Sequence, residues 1–467
     1  MKKYAKIILP VLLPILLTGA LIGFMLTRGE KAEPPEESLP AQEVLGITVL
    51  DNQGNPLVTA ADSQEIYDSP YWAYLDVVVS EAAKTLSEIH QLDLETAWER
   101  LFIEGYEIHT AFDTRAFGAL QEADQNRDTD FPIGCALTDL KGNLLAVYST
   151  QDQVNHALEK VPPYSSFKPL SVYAPAIEAG LINWSSQYED SAYKKWTDAN
   201  GQEQDWPANF SKTYKMENVT IYDALRTSLN TVAVKCLADL KVNNSIQFLQ
   251  DKLGIAVTEE AYYAEKQGEE EVIGNIAMGY LETGVTPIDM AGYYQIFANG
   301  GIYTQPKAVV KIADKDGKII YTAENSGEQV ISPETADVMN KLLQGVVEPG
   351  GTGEAAACEA VPVAGKTGTG EEKQNYWFVG VTPGYSLAVW HGQNESNQAA
   401  AVFASVVKAL YADQPNANRN FITHKNLQHL VYCAKSGMLF SMNCNTIEEG
   451  YYGETNTPDV CNQCGGN

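Results

Sequence analysis

The chain has 467 residues with 60 acidic and 32 basic side chains, a formal charge of −28 at neutral pH. At roughly 100–200 residues per domain this length holds two or three units, and 45% hydrophobic with 20% charged residues excludes wholesale disorder. So acidic a chain is not a nucleic-acid binder, because neutralising phosphates needs a basic face. Beyond its first residues it also has no polybasic grip for anionic lipid.

Lys2, Lys3 and Lys6 precede Ile7 to Leu26, a run without a charged side chain. Such a run matches the roughly 20 apolar residues that span a bilayer core. The leading lysines place residues 1–6 in the cytoplasm and everything after the span outside. Thr27-Arg28-Gly29-Glu30 makes no small-residue cleavage site, so residues 7–26 read as an uncut single-pass anchor rather than a signal peptide. Residues 27–43 are rich in Pro and Glu and read as a spacer.

Gly46 to Thr59 alternates apolar and polar residues around a Gly/Asn turn, a hairpin signal. Residues 72–104 read as helical, with Leu75, Val78, Ala82, Leu86 and Ile89 near 3.6 spacing. Residues 44–125 are thus expected to form a small pedestal module. A second strand pair is expected over Ile133 to Tyr148, around Lys141-Gly142-Asn143. Further strands are expected within 305–322 and 375–392, and helices over 165–181, 231–253 and 286–299. There is no repeat.

Three short elements carry chemistry. In Ser165-Ser166-Phe167-Lys168 a serine expected to cap a helix has a lysine one turn later on the same face. A serine is a weak nucleophile until a base takes its proton, and a desolvated lysine can be that base. In Ser228-Leu229-Asn230 a hydroxyl and an amide two residues apart can enter one cleft, the first to pass a proton and the second to hold substrate and lysine. In Lys366-Thr367-Gly368-Thr369-Gly370 a lysine and hydroxyls on a strand suit a carboxylate, and Gly368 would admit an extended ligand. Each element alone also reads as an ordinary cap or turn. A phosphate-loop reading of Gly365-Lys366-Thr367 fails because position 360 is Ala.

In this order the three elements resemble the signature of penicillin-binding proteins and serine β-lactamases. The chain resembles the transpeptidase domain of the bifunctional penicillin-binding proteins over roughly 105–410. The likeness extends to Gly105–Asp113, Asp139–Val147, Met278-Gly279-Tyr280, Gly284–Pro287, Phe297–Gly301, Gly350-Gly351-Thr352 and Trp377–Gly380. It departs at Tyr164, where many relatives carry Gly and where the ring could crowd the cleft. It departs again at Gly370, often Thr or Ser. Residues 27–104 are too few for the glycosyltransferase domain that accompanies that class.

The resemblance implies an α+β fold, an antiparallel sheet with helices on both faces, over 126–415, followed by a Cys-containing tail at 416–467. It implies a substrate of peptidoglycan stem peptides ending in D-Ala-D-Ala, attacked by Ser165 with Lys168 as base. Backbone N–H groups of Ser165 and Thr369 would form the oxyanion hole. Ser228 and Lys366 would relay a proton, Asn230 would position the donor, and Lys366, Thr367, Gly368 and Thr369 would hold its carboxylate. β-Lactams would acylate the same serine, and a separate glycan polymerase would be a partner. No cofactor or metal is called for, and six scattered histidines offer no ligand spacing.

Other readings are a DD-carboxypeptidase, a β-lactam sensor, a scaffold, and a β-lactamase using Glu271 and Asn275. Ser-Leu-Asn in place of Ser-Asp-Asn and the chain's length point away from the last. Of seven cysteines, Cys135, Cys236 and Cys358 lie in apolar surroundings and read as core. Cys433, Cys444, Cys461 and Cys464 fit either zinc or disulfides, and an extracytoplasmic location favours disulfides.

Overall fold

The computed structural model describes residues 44–127, 131–150, 154–197, 201–257, 269–281, 283–324, 326–370, 374–392, 397–412, 414 and 417–464. The expected cytoplasmic residues 1–6, the anchor at 7–26 and the spacer at 27–43 lie outside them. Among the described residues no helix is long and apolar enough to cross a membrane. Residues 44–467 group as one compact unit.

The expected N-terminal hairpin forms from β1 (Ile47–Leu50) and β2 (Pro56–Ala60). The helical stretch divides into α1 (Trp72–His90) and α2 (Leu94–Glu104), with Gln91 in the left-handed region ending the first. Leu75, Val78, Ala82 and Leu86 line the buried face of α1, while Ile89 in its last turn is exposed. β3 (Tyr106–Thr110) then runs parallel to β1. Strand Val309–Asp314 pairs with the other edge of β3, and Ile319–Thr322 completes the sheet.

The pedestal expected over 44–125 is therefore not closed on itself: two of its five strands come from late in the chain. Polar bonds reinforce the join. The Tyr74 hydroxyl donates to Leu144 O at 3.0 Å, and Glu81 Oε2 accepts from the Ala308 backbone at 2.8 Å. α3 (Thr114–Gln125), capped by the Asp113 carboxylate, packs on the catalytic sheet instead.

That sheet is antiparallel throughout. β4 (Ile133–Asp139) and β5 (Leu144–Ser149) lie at one end, and the order runs β6 (Ala364–Thr369), β7 (Tyr376–Val381), β8 (Tyr385–His391), β4, β5. β7 and β8 are almost wholly buried, which explains their continuous apolar run. Period-2 alternation assigns the two faces. Phe378 packs edge-on against Phe403 of helix Ala399–Ala412. Ser386, on the opposite face, donates to Ala291 O of helix Pro287–Tyr294. Helices therefore cover both faces, as the resemblance implied.

The tail contains a hairpin of β9 (Leu427–Cys433) and β10 (Ile447–Gly453). None of the seven cysteines is joined to another in this structure, where disulfides were the expectation. Cys135 and Cys236 are buried, and Cys358 is half-buried.

Candidate active site

The segment carrying Ser165 and Lys168 enters through Pro163, makes a 3-10 turn over Tyr164–Phe167, continues as a π-helical turn over Pro169–Tyr173, and ends as helix Ala174–Glu178. Ser165 was expected to cap this helix. It lies inside the first turn instead, which has no side-chain cap, because Tyr164 already adopts a left-handed backbone with φ of 48°. The hydroxyl of Ser165 is thus not used in capping. The Lys168 backbone N–H donates to Ser165 O, fixing the two residues one turn apart.

Asn230 is the first residue of helix Asn230–Leu240, and Ser228 precedes it with φ of 60°, an uncommon conformation for serine. This bend aims the Ser228 carbonyl and hydroxyl at Lys168. The Lys168 amine donates to Asn230 Oδ1 at 2.7 Å and Ser228 O at 2.9 Å, and stands 3.4 Å from Ser228 Oγ. Burial first, and the positive charge of Lys366 second, push its pKa well below the ordinary lysine value. A neutral amine has two hydrogens and one lone pair. With these two close acceptors for its hydrogens, a neutral Lys168 amine would keep its lone pair open to a proton.

β6 is the edge strand beside this turn. A Cβ at Gly368 would stand 2.5 Å from Pro163 O and 3.2 Å from Ser166 Oγ. Gly368 thus lets the turn dock closely on the strand. Lys366, fully buried, donates to Ser228 Oγ at 2.9 Å, Thr367 O at 3.2 Å and Thr367 Oγ1 at 3.3 Å, three acceptors for the three hydrogens of an ammonium. Burial pushes it down to about 7. The Thr367 hydroxyl, besides accepting from Lys366, donates to Thr352 Oγ1 at 2.9 Å. Thr369 is half-buried. Ser228 Oγ thus joins two buried amines, both with proton affinity lowered by burial.

The model for the penicillin-binding protein transpeptidase domain matches residues 133–412, more than half of the chain. This chain belongs to that family. It is 34% identical over 257 residues to penicillin-binding protein 1A of Clostridium botulinum, a match covering 54% of this chain and 30% of that one. The chain thus spans about a third of the length of that relative. The fold is similar to the D,D-transpeptidase domain of a peptidoglycan glycosyltransferase from Eggerthella lenta, with TM-score 0.62 at 20% identity, covering 81% of this chain and 100% of that one. It is also similar to the PonA1 protein of Mycobacterium tuberculosis in complex with penicillin V, with TM-score 0.59 at 21% identity, covering 81% and 98%.

In this transpeptidase-family site hydrogen bonds join Lys168, Ser228, Asn230, Lys366 and Thr367, and Ser165 is tied to Lys168 through its backbone carbonyl. Sequence reasoning missed what holds Asn230. Its backbone N–H donates to Asn209 Oδ1 at 2.9 Å, and its amide nitrogen donates to Ala208 O at 2.8 Å. The Asn209 amide and the Thr231 hydroxyl both donate to Asp190 Oδ1, at 2.8 and 2.6 Å. Burial raises the Asp190 pKa. Hydrogen bonds from Thr231, the Lys215 backbone and Asn209 outweigh it and hold the carboxylate below its usual range. Asp190 and Asn209 belong to no motif and are brought to Asn230 only by the fold. Thr352 had a signal, since Gly350-Gly351-Thr352 was part of the resemblance. For the β-lactamase reading, the side chain of Glu271 lies outside the described residues.

Proposed function

We propose that the chain is a serine DD-transpeptidase that cross-links peptidoglycan stem peptides ending in D-Ala-D-Ala and is inactivated by β-lactams. The observation that supports this reading is the burial of the Lys168 and Lys366 amines on either side of Ser228 Oγ, 3.4 and 2.9 Å from it, with the proton affinity of both lowered by that burial.

In the proposed reaction the Lys168 lone pair takes the Ser165 proton as Oγ attacks the penultimate carbonyl. Backbone N–H groups of Ser165 and Thr369 hold the oxyanion. The proton passes from Lys168 through Ser228, beside Lys366, to the departing D-Ala nitrogen. Lys366, Thr367 and Thr369 hold the terminal carboxylate of the donor, and Asn230 keeps the amine of Lys168 in place while facing the donor amide. The acyl-enzyme then passes to an amine of a second stem peptide. Where water takes the amine's place the enzyme is a carboxypeptidase.

The lysine-flanked span at 7–26 supports a single-pass anchor with the catalytic unit outside the bacterial cell membrane. A separate glycan polymerase would supply the strands. The test is a stem-peptide donor mixed with an acceptor amine and followed by mass spectrometry. A cross-linked product supports transpeptidation, and hydrolysis alone moves the reading to carboxypeptidase.

A further inference from the structure

The transpeptidase chemistry uses none of the cysteines, yet four of them meet. Cys433 ends β9, Cys444 lies in the loop that leads to β10, and Cys461 and Cys464 follow β10 on a segment that returns to the loop. The return is fixed by two backbone bonds, Leu439 N–H to Asp459 O at 2.9 Å and Cys461 N–H to Leu439 O at 2.8 Å. The four sulfurs all lie within 4.8 Å of one another, and those of Cys433 and Cys464 are 3.5 Å apart. From this geometry we infer that Cys433, Cys444, Cys461 and Cys464 bind one zinc ion as a tetrathiolate structural site that holds the C-terminal lobe together.

Four observations support a metal site, and the first separates it from disulfides. Two disulfides need two pairs, and nothing in pairing requires four sulfurs to share one centre. A tetrahedral zinc with bonds of about 2.3 Å does require it, and spaces its sulfurs about 3.8 Å apart. The donor set is also selective. It holds thiols only, without carboxylate or imidazole, and soft thiolates favour zinc over the hard divalent cations.

The sulfurs are also met by donors of the kind that support thiolates. The Ser436 hydroxyl donates to Cys461 Sγ at 3.2 Å. The Ser441 backbone N–H donates to Cys444 Sγ at 3.4 Å, with the Ser441 hydroxyl at 3.4 Å as well. Finally, the lobe lacks a core of its own. Tyr432 and Tyr452 are buried, but Phe440, Met442, Ile447 and Val460 are exposed. Segments below about 40 residues rarely fold without a metal or disulfides. On binding, each ligating thiol forms a zinc–sulfur bond and gives its proton to solvent, up to four in all.

The lobe grips the body beside the catalytic machinery. Ser185 Oγ donates to Gly437 O at 2.5 Å and accepts from the Tyr452 hydroxyl at 2.8 Å. Trp184 stacks on Tyr222 with ring centroids 4.6 Å apart and meets Tyr451 edge-on. Tyr222 lies on helix Ile221–Arg226, which leads into Ser228. A zinc ion at the four sulfurs would thereby brace a segment that ends in the active site.

The experiment uses the purified full chain. Elemental analysis should find one zinc per chain. The four tail thiols should resist alkylation until a strong chelator is added, after which zinc leaves and residues 427–464 become open to protease. The double variant Cys461→Ser, Cys464→Ser should hold no zinc, with labelling by a fluorescent penicillin reporting whether the body still folds. If that variant does not fold, the chelator experiment on the natural chain decides alone. A denatured mass four hydrogens light, from two disulfides, would overturn the proposal. So would iron in place of zinc, or no bound metal after reduction and incubation with zinc(II).

Discussion

The ring of Tyr164 lies where a side chain on residue 370 would begin: a Cβ there would stand 2.8 Å from Tyr164 Cε2 and 3.1 Å from its hydroxyl oxygen. The two departures from the family pattern are therefore one packing solution. A tyrosine takes the left-handed position before the nucleophile, and the glycine at the end of β6 leaves room for its ring. Tyr280, edge-on at 5.3 Å, supports the ring from another side.

Replacing Gly370 with Thr should push Tyr164 out of place and slow acylation by a β-lactam about tenfold or more, since sub-ångström misplacement of reacting groups is costly. The double variant Tyr164→Gly, Gly370→Thr should recover most of the rate. A Gly370→Thr rate equal to the natural chain's would mean that the ring is free to move aside.

Lys168→Ala should leave the melting transition cooperative while lowering the acylation rate by about 10²–10⁴-fold, the usual worth of a general base. Stopped-flow measurement with a chromogenic cephalosporin gives the number directly. A rate within a few-fold of the natural chain would remove Lys168 from the mechanism.

Acylation should depend on pH with two limbs. Burial lowers Lys366 to about 7, so the folded protein holds that proton below about 7 and sheds it above. For a β-lactam that carries a carboxylate, the rate should fall as pH rises through this range, because the positive charge that pairs with the carboxylate is lost. On the acid side the rate should fall again as Lys168, lowered by burial and by Lys366, becomes protonated and loses its lone pair. Lys366→Gln, slower at every pH, should lack the alkaline limb. A profile that stays flat from neutral to alkaline pH would contradict the assignment of charge to Lys366.

Much of this site could be read in the chain because it is built from local geometry. Ser165 and Lys168 are one turn apart, Ser228 and Asn230 flank one bend, and Lys366 to Thr369 lie on one strand, so short spacings carry them. The antiparallel sheet was legible for the same reason, in the apolar run of β7 and the turn after Asp139. What could not be read is long-range. Nothing in the letters brings Asp190 and Asn209 to Asn230, or strand Val309–Asp314 to the edge of β3. The helix-cap expectation for Ser165 erred because it assumed an ordinary backbone at Tyr164. The part Gly368 plays in docking the Pro163 turn was hidden because that turn comes from far earlier in the chain.

Asp190→Ala should unfold the chain more easily, by about 1–3 kcal/mol, because it strands the Asn209 amide and the Thr231 hydroxyl in the interior and removes the acceptor of the Lys215 N–H. It should also slow acylation, since Asn230 would lose the Asn209 carbonyl that fixes its backbone. Thermal melts and acylation rates on the same sample separate the two effects. An unchanged melting temperature would show that water or another group satisfies these donors.

The apolar run at 7–26 should keep the full chain in the membrane fraction, with protease added from outside reaching everything beyond about residue 27. Sequencing a soluble form that begins near residue 20–30 would show that the run is a cleaved signal peptide.

The central claim is that Ser165 becomes covalently acylated. The most direct measurement is the intact mass of the full chain after exposure to penicillin, beside that of the Ser165→Ala variant. The natural chain should gain the mass of one penicillin, retained for far longer than the acylation takes, and the variant none. An adduct that survives in the Ser165→Ala variant, or rapid turnover of the drug without an adduct, would contradict the assignment.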